Sequence, residues 1–446
     1  MPDERDRAAP PAGLWSRSRS VLALAAGVAG QELRHEVRSR FGAAEKLAPS
    51  KLRARIEQAK LMAESLGRLK GAFMKAGQLL SIDAGDLLPP EAIEILSKLQ
   101  GNAEPVDFAI MRKVLETELG AEGLSALVDL EPTPAASASI GQVHRARVDG
   151  APVAVKIQYP GIAESIDADI ALLQKLGGSW LTITGRDIDL AATFAELAAI
   201  LHFEADYVRE RTYLERFGAL VADDARFEVP RALPALSTSK VLTMSWAEGL
   251  PLSGWIQSGP TREERDAFAA AVLDLYCLEF FRWGIVQTDP NFGNFLVRPA
   301  ERRTVLLDFG ATVEYSAAFR AEYVELLRAV ATGERARILE AGIAFELLDA
   351  RESTGTQDLF VEMLRSASEP FEARSQPFVF QNAEYGARSQ DVVRRFVTSL
   401  RFSPPPRRLL FLHRKLGGIF QLLKRLECRL DLTPYWERMV AGGTNA

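Results

Sequence analysis

"FRWGIVQTDPNFGNFLV", running from Phe281 to Val297, sets an aspartate and an asparagine five residues apart, directly after a long apolar helix pattern. Its reading decides the fold. Asp308 closes an apolar, strand-like run, "TVLLDFG", 19 residues after Asp289. Gly310 leaves that run free to turn tightly, so a carboxylate is presented at a strand end. Two carboxylates and an amide oxygen on adjacent loops, Asp289, Asn294 and Asp308, form a hard-oxygen set. Such a set suits magnesium better than a softer metal, with substrate phosphates completing the shell.

Phosphates also need a cation, and Lys156 supplies one at the end of the strand "APVAVK". That strand returns from a hairpin. In "SIGQVHRARVDGAPVAVKIQYPG" the residues alternate through Arg145, Ala146, Arg147 and Val148, turn at Asp149-Gly150, and come back through Val153, Val155 and Ile157. A strand lysine, an acid on a following helix to hold it, a loop carrying Asp then Asn, and Asp-Phe-Gly form the layout of protein-kinase-like phosphoryl transfer. Each piece alone reads as an ordinary strand-end or surface charge; the order and separations make the case.

The rest of the chain is compatible with that layout. A length of 446 residues with 47% hydrophobic content can bury a large core in two or three packed lobes. The formal net charge of −5 argues against nucleic acid as a general partner. Cys277, Cys428 and four scattered histidines draw neither a disulfide framework nor a metal cluster, which points to a reducing compartment. The order of elements is helices to about Asn102, a small β-rich lobe, then a mostly helical lobe. The expected fold is therefore α+β: a two-lobed kinase-like body at 103–249 and 250–446, behind a helical extension at 1–102.

The first sixty residues carry twelve Lys/Arg against seven acids and enclose "VLALAAGVAG", ten residues that are too few to span a bilayer. That segment reads either as a surface anchor or docking helix, or as an ordinary packed helix. The C-terminal "RRLLFLHRKLGGIFQLLKRLECRL" also mixes cations with an apolar face, and its alternative is a core helix built on Leu410, Leu412, Leu416 and Phe420.

Three departures from ordinary kinases make the resemblance specific. The chain has "PAASASIGQVH" where a glycine-rich loop belongs, Gln287-Thr288-Asp289 where His-Arg-Asp belongs, and "KAGQ" at Lys75 to Gln78 ahead of the lobe. With these motifs the sequence resembles the UbiB family of atypical kinases, the aarF-domain-containing kinases, from about Arg17 to the C-terminus. "QTDPNFGNF" and "LHRKLGGIFQLLKRL" point toward the subgroup associated with coenzyme Q biosynthesis.

The resemblance implies a site. Ala136, Ser137, Ala138, Ser139, Gly141 and Val143 would lie over the phosphates of ATP or ADP, with the alanine-rich loop changing nucleotide preference and restraining promiscuous transfer. Ser137 departs from the usual alanine there. Met244 and Trp246, in "TMSWAEG", would mark the hinge at the adenine. The helix bearing Lys75 and Gln78 would fold over the kinase lobe and send Lys75 into the site, where a buried ammonium needs carboxylates.

In "HFEADYVRER", Glu210 is assigned to Lys156, and Glu204 with Asp206 to Lys75; Asp206 and Glu210 are read as one turn apart on one helix face, and the reverse division also fits. Asp289 is then a base or an orienting carboxylate, with Asn294 and Asp308 as magnesium ligands. Between Asp289 and Asn294 stand only Pro290, Asn291, Phe292 and Gly293. The cation that ordinary kinases carry there must come from elsewhere, with Lys75 the candidate, or transfer to protein is poor.

The functional expectation is an ATPase or small-molecule kinase, restrained by its N-terminal helices. It would support quinone or isoprenoid-lipid synthesis at a membrane surface, on the cytoplasmic face of an inner membrane. Biosynthetic enzymes or lipid intermediates are candidate partners, and nucleic acid is not. The alternative is a non-catalytic, nucleotide-switched scaffold or lipid carrier. An ordinary Ser/Thr protein kinase fits poorly, because "DFGATVEYSAAFRAEYVELL" runs almost directly into helix without an Ala-Pro-Glu segment.

Overall fold

The computed structural model describes residues 106–138, 140–171, 174, 191–289, 291–401 and 407–442. Lys75, Gln78 and Ser139 lie outside the described residues, as does the basic N-terminal segment. The chain divides into two compact units. The first takes the described part of Met1–Thr212 together with Arg231–Trp246, and the second takes Tyr213–Pro230 with Ala247–Ala446. Helices and mostly antiparallel sheets combine in the α+β manner.

In the first unit, helix α1 (Phe108–Ala126) starts at Asp107, whose carboxylate accepts the Ala109 N–H. A four-stranded antiparallel sheet follows, β1 (Ala136–Ser137), β2 (Gly141–Val148), β3 (Ala151–Gln158) and β5 (Val241–Ser245), in that spatial order. Asp149 and Gly150 both take positive φ, 50° and 79°, the two-residue turn whose twist matches the flanking strands. Val148 therefore faces Ala151, and the register runs to Gly141 opposite Gln158. Val153, Val155 and Ile157 bury on one face of β3. A Cβ at Gly141 would stand 2.4 Å from the Ile157 carbonyl oxygen and 2.7 Å from the Tyr207 hydroxyl, so only glycine fits there. Two helices, α2 (Ala191–Ala205) and α3 (Tyr207–Leu220), complete this part of the chain, the latter running on into the second unit.

The second unit begins around β4 (Phe227–Glu228) and β6 (Leu250–Pro251), which flank a hairpin of β8 (Phe295–Arg298) and β9 (Arg303–Leu306) in the order β4-β9-β8-β6. Helix α4 (Leu252–Gln257) leads to α5 (Arg262–Cys277). Thr261 and Glu264 form a reciprocal capping box at its start. The helix continues as a π-helical segment, Leu278–Trp283, and stops at Gly284 in the left-handed conformation. β7 (Ile285–Gln287) then pairs antiparallel with β10 (Thr312–Glu314). Phe280, Phe281, Tyr315, Phe319 and Tyr323 form an aromatic core beneath this pair, with ring centroids 4.9–6.5 Å apart.

The remaining elements are α6 (Ala317–Thr332), α7 (Arg335–Ala344), α8 (Thr354–Ser368), β11 (Phe378–Val379), α9 (Ala383–Ser399), α10 (Arg407–Arg425), β12 (Arg429–Leu430) and α11 (Thr433–Ala441). Ser316 caps α6 two residues after β10, so the segment after Asp-Phe-Gly does pass straight into helix. Helix α10 is a core element. It buries Leu409, Leu412, Ile419, Leu422 and Leu423, each worth about 1.5–3 kcal/mol of burial. These side chains support the core-helix alternative, although of the residues expected to build it Leu412 is buried and Leu416 and Phe420 are only half-buried. Among the described residues no helix is long and apolar enough to cross a membrane.

His144 couples the small sheet to pH. Its ring is fully buried, with Nδ1 2.8 Å from the Glu131 carbonyl oxygen and Nε2 2.9 Å from the Gln142 amide nitrogen. That pattern needs the neutral ring, donating at Nδ1 and accepting at Nε2. Burial lowers its pKa from 6.5, against the pull of the Glu131 carbonyl. A depressed folded value means that the unfolded chain binds more protons as pH falls. The stability contributed by His144 should thus be full above the unfolded value, near 6.5, and be lost as pH drops through the folded one. Urea titrations at about pH 7.5 and about pH 5 should show this loss, and His144→Phe should reduce it; an equal loss in that variant would remove His144 as the cause.

Candidate functional site

Lys156 sits in the middle of β3, opposite Val143 on β2 and Leu242 on β5. Its side chain leaves the sheet on the face away from Val155 and Ile157. An ammonium so buried needs a carboxylate, and Glu210, in the first turn of α3, provides both oxygens at 2.7 and 2.8 Å. Lys156 is 7% exposed and Glu210 1%, so water competes little for the pair. The Tyr207 ring lies 5.1 Å from the same ammonium and adds a cation–π face.

Asp206 is placed differently from the one-face reading. The helix breaks there: Asp206 precedes α3, its carboxylate accepts the Arg209 N–H at 2.9 Å, and its carbonyl accepts that of Glu210 at 2.9 Å. Aspartate competes for backbone N–H groups better at a cap than inside a helix, and the chain uses it that way. Glu204 lies in the last turn of α2, half-buried. Their assignment to Lys75 concerns a partner outside the described residues.

The alanine-rich loop forms a tight strand-turn-strand. Ala136 and Ser137 pair with Val143 and Gln142, and the Ala138 N–H donates to the Gly141 carbonyl at 2.8 Å. Ala136 and Ser137 are exposed and Val143 is half-buried. Met244 is buried on β5, opposite Ala154. The backbone N–H of Trp246 donates to the Pro152 carbonyl at 3.0 Å, and the Arg145 guanidinium stands 4.8 Å from its ring centroid.

In the second unit, one hairpin and one strand pair build the oxygen cluster. The β8–β9 register sets Phe295 opposite Leu306, and the Leu307 N–H donates to the Asn294 carbonyl at 3.0 Å. Asn294 and Asp308, 14 residues apart in sequence, are thus the two ends of one hairpin. Asp289 follows β7. Thr288 anchors it by donating both its N–H and its hydroxyl to the Ala311 carbonyl, at 2.9 and 2.6 Å. The short turn Phe292–Asn294, capped by the Asn291 side chain, brings Asn294 back to Asp289. The Asn294 amide nitrogen lies 3.3 Å from Asp289 Oδ2, which turns its amide oxygen the other way. Asp308 Oδ1 accepts the Gly310 N–H at 2.9 Å, and Phe309 is buried with its ring 4.7 Å from Phe217 of α3.

A cation stands beside Asp289 that the sequence alone does not place there. Arg414 of α10 stands 3.3 Å from Asp289 Oδ1, with 5% of its side chain exposed. Its neighbour Lys415 stands 3.0 Å from Glu279 Oε2 on the π-helical segment, 6% and 1% exposed. Burial pushes the Glu279 carboxyl up, while Lys415 and the Gln287 backbone N–H pull it down. A signal was available for Lys415 alone: it falls on the apolar helix face of Leu412, Ile419 and Leu423, which a purely structural helix does not require.

The donors fit magnesium. An amide oxygen and a carboxylate at the ends of one hairpin are hard ligands. Among the described residues no cluster of three or more His, Cys, Asp or Glu could hold a metal alone. Magnesium is commonly bound by one or two protein oxygens and completed by phosphates.

Known proteins resemble this chain over most of its length. Residues 98–342 match the family model described as the ABC1 atypical kinase-like domain. The chain is 35% identical over 379 residues to Atypical kinase COQ8B, mitochondrial, of Rattus norvegicus, covering 83% of this chain and 70% of that protein. It is 34% identical over 377 residues to Atypical kinase COQ8, mitochondrial, of Saccharomyces cerevisiae, covering 84% and 74%. Among solved structures it resembles one described as the complex structure of Rv3197-erythromycin from Mycobacterium tuberculosis. The TM-score is 0.60 and the identity 28%, covering 85% of this chain and 95% of that one.

The buried pair of the first unit should behave as a unit. Lys156→Met strands the Glu210 carboxylate and should cost about 3–5 kcal/mol in urea unfolding. Lys156→Met combined with Glu210→Gln should recover most of that loss, since no lone charge remains. Additive losses would mean that the two side chains are not paired in the folded protein.

Proposed function

This chain belongs to the ABC1 atypical kinase-like family, and from that premise we propose that it is an atypical kinase or ATPase acting on magnesium-bound nucleotide. In this reading its N-terminal helices restrain it, and it supports ubiquinone or isoprenoid-lipid synthesis as a peripheral protein on the cytoplasmic face of an inner membrane. The observation that carries the proposal is the hairpin that holds Asn294 and Asp308 beside an Asp289 already paired with Arg414.

Each residue then has a role it can perform. Lys156, oriented by Glu210, binds phosphate oxygens as a fixed cation. Asn294 and Asp308 would hold magnesium, which supplies charge neutralisation at the phosphates when bound. Asp289 orients the attacking hydroxyl or water. One of its oxygens faces Arg414 and the other the Asn294 amide, an arrangement that fixes its direction. Arg414 brings positive charge to the loop that lacks the usual basic residue. The restricted loop at Ala136, Ser137 and Ala138, closed by an N–H that already donates to Gly141, supports selectivity for nucleotide over broad protein phosphorylation. Lys75 and Gln78 are proposed to enter from the N-terminal extension, with Glu204 and Asp206 as their acidic partners.

The pathway rests on kinship. The names of the relatives place them among mitochondrial atypical kinases, and a quinone precursor or another lipid intermediate is the proposed partner here. With α10 internal, membrane contact is assigned to the basic N-terminal segment. A nucleotide-switched scaffold is the second reading. It is favoured by Asp289 having both oxygens engaged by neighbours, as a binding residue would.

Phosphate release from Mg-ATP, with and without anionic liposomes and a soluble phenolic precursor analogue, tests the first reading. Turnover should rise with liposomes and fall about a hundredfold or more in Asp289→Asn. Asp308→Asn should abolish magnesium-dependent nucleotide binding, and unchanged binding there would remove the metal assignment. Nucleotide binding without turnover, membranes present, would select the scaffold.

A further inference from the structure

Behind the ends of the β8–β9 hairpin lies a small chamber lined by Glu279, Gln287, Asn294, Asp308 and Lys415, with about 10 Å³ of room for a water centre. That is close to what a single buried water requires. Leu275, Phe295, Leu306, Leu307 and Phe309 complete the lining, so half of it is apolar and the polar groups are five. Gln287 is 6% exposed, and its side-chain nitrogen is buried without an acceptor among the described residues. Glu279 Oε2 is buried as well, held to Lys415 by charge at 3.0 Å without a hydrogen bond of good geometry. The Lys415 ammonium, the Gln287 and Asn294 amides and a carboxylate are among the groups lining it, enough for the two to four polar partners that a trapped water needs.

The surroundings explain why these groups meet. The π-helical turn at Leu278–Trp283 breaks the α-helical phase of α5, in the manner of π turns at functional sites. Glu279 on that turn reaches the Gln287 backbone N–H at the end of β7. Lys415 comes from α10, next to the Arg414 that faces Asp289. A buried ion pair is weak evidence of stability, since apolar residues of like volume often serve as well. Its position behind the hairpin ends calls for another role.

We propose that Glu279 and Lys415 are positioning residues for the metal-binding side chains: with the Gln287 amide they hold one water in this chamber, and that water fixes Asn294 and Asp308 from behind. The inference rests on the magnesium-nucleotide reading and extends it, since it makes α10 part of the support of the metal site. Partners of this kind tune metal affinity by orienting the ligands.

The test is a magnesium titration of fluorescent ADP-analogue binding to the full-length protein, alongside thermal melting. Lys415→Met and Glu279→Gln should raise the half-saturating magnesium concentration about tenfold, and Gln287→Leu about threefold, with binding restored at saturating magnesium. The double variant Glu279→Gln/Lys415→Met leaves no lone buried charge. It should melt close to the wild type yet keep the raised magnesium requirement, so the proposal stays testable if either single variant fails to fold. A double variant and Gln287→Leu that both keep the wild-type magnesium requirement within about twofold, whatever their melting temperatures, would overturn the positioning role and leave the magnesium-nucleotide reading intact. Wild-type binding that ignores magnesium would instead overturn that reading, and this inference with it.

Discussion

A charge taken out of water must meet an opposite charge or be abandoned as a charge, and this constraint orders the buried charges of each unit of the fold around three pairs. Lys156 meets Glu210, Asp289 meets Arg414, and Glu279 meets Lys415. None of these pairs is local in sequence. Each therefore ties distant elements together, β3 to α3 in one unit, and α10 to the loop after β7 and to the end of α5 in the other. Removing one member leaves an isolated buried ion, which costs far more than the pair itself contributes.

The second of these ties gives α10 a double part. Its leucines fill the core, and its two adjacent cations aim at carboxylates rather than at solvent. In the proposed reading, the charge that the loop from Asp289 to Asn294 lacks arrives from a helix more than a hundred residues downstream. The hairpin register does comparable work for the oxygen ligands. A slip of one residue in β8 against β9 would turn every side chain to the opposite face and separate Asn294 from Asp308.

Much of the fold was legible because its signals are local. Asp149-Gly150 between alternating strands specifies a hairpin through the φ values those residues tolerate. The run from Asp308 to Ala317 is likewise too short for an activation segment. The reading of Asp206 failed for an equally physical reason. Helical period alone cannot tell an aspartate on a helix face from one that interrupts the helix to cap the next, and the N–H of Arg209 decides it.

The sequence alone carried the kinase-like order of motifs, a strand lysine, an Asp–Asn loop and Asp-Phe-Gly, and the family match bears that order out. The sequence also determined the hairpin that carries the lysine, since turn chemistry and alternation are written in neighbouring residues. Only the tertiary structure decided that Glu210 is the acid at Lys156, that Arg414 stands at Asp289, and that Lys415 and Gln287 close a chamber behind the hairpin ends. Such pairings depend on which faces of distant helices come together, and helical period fixes a face without naming its neighbour.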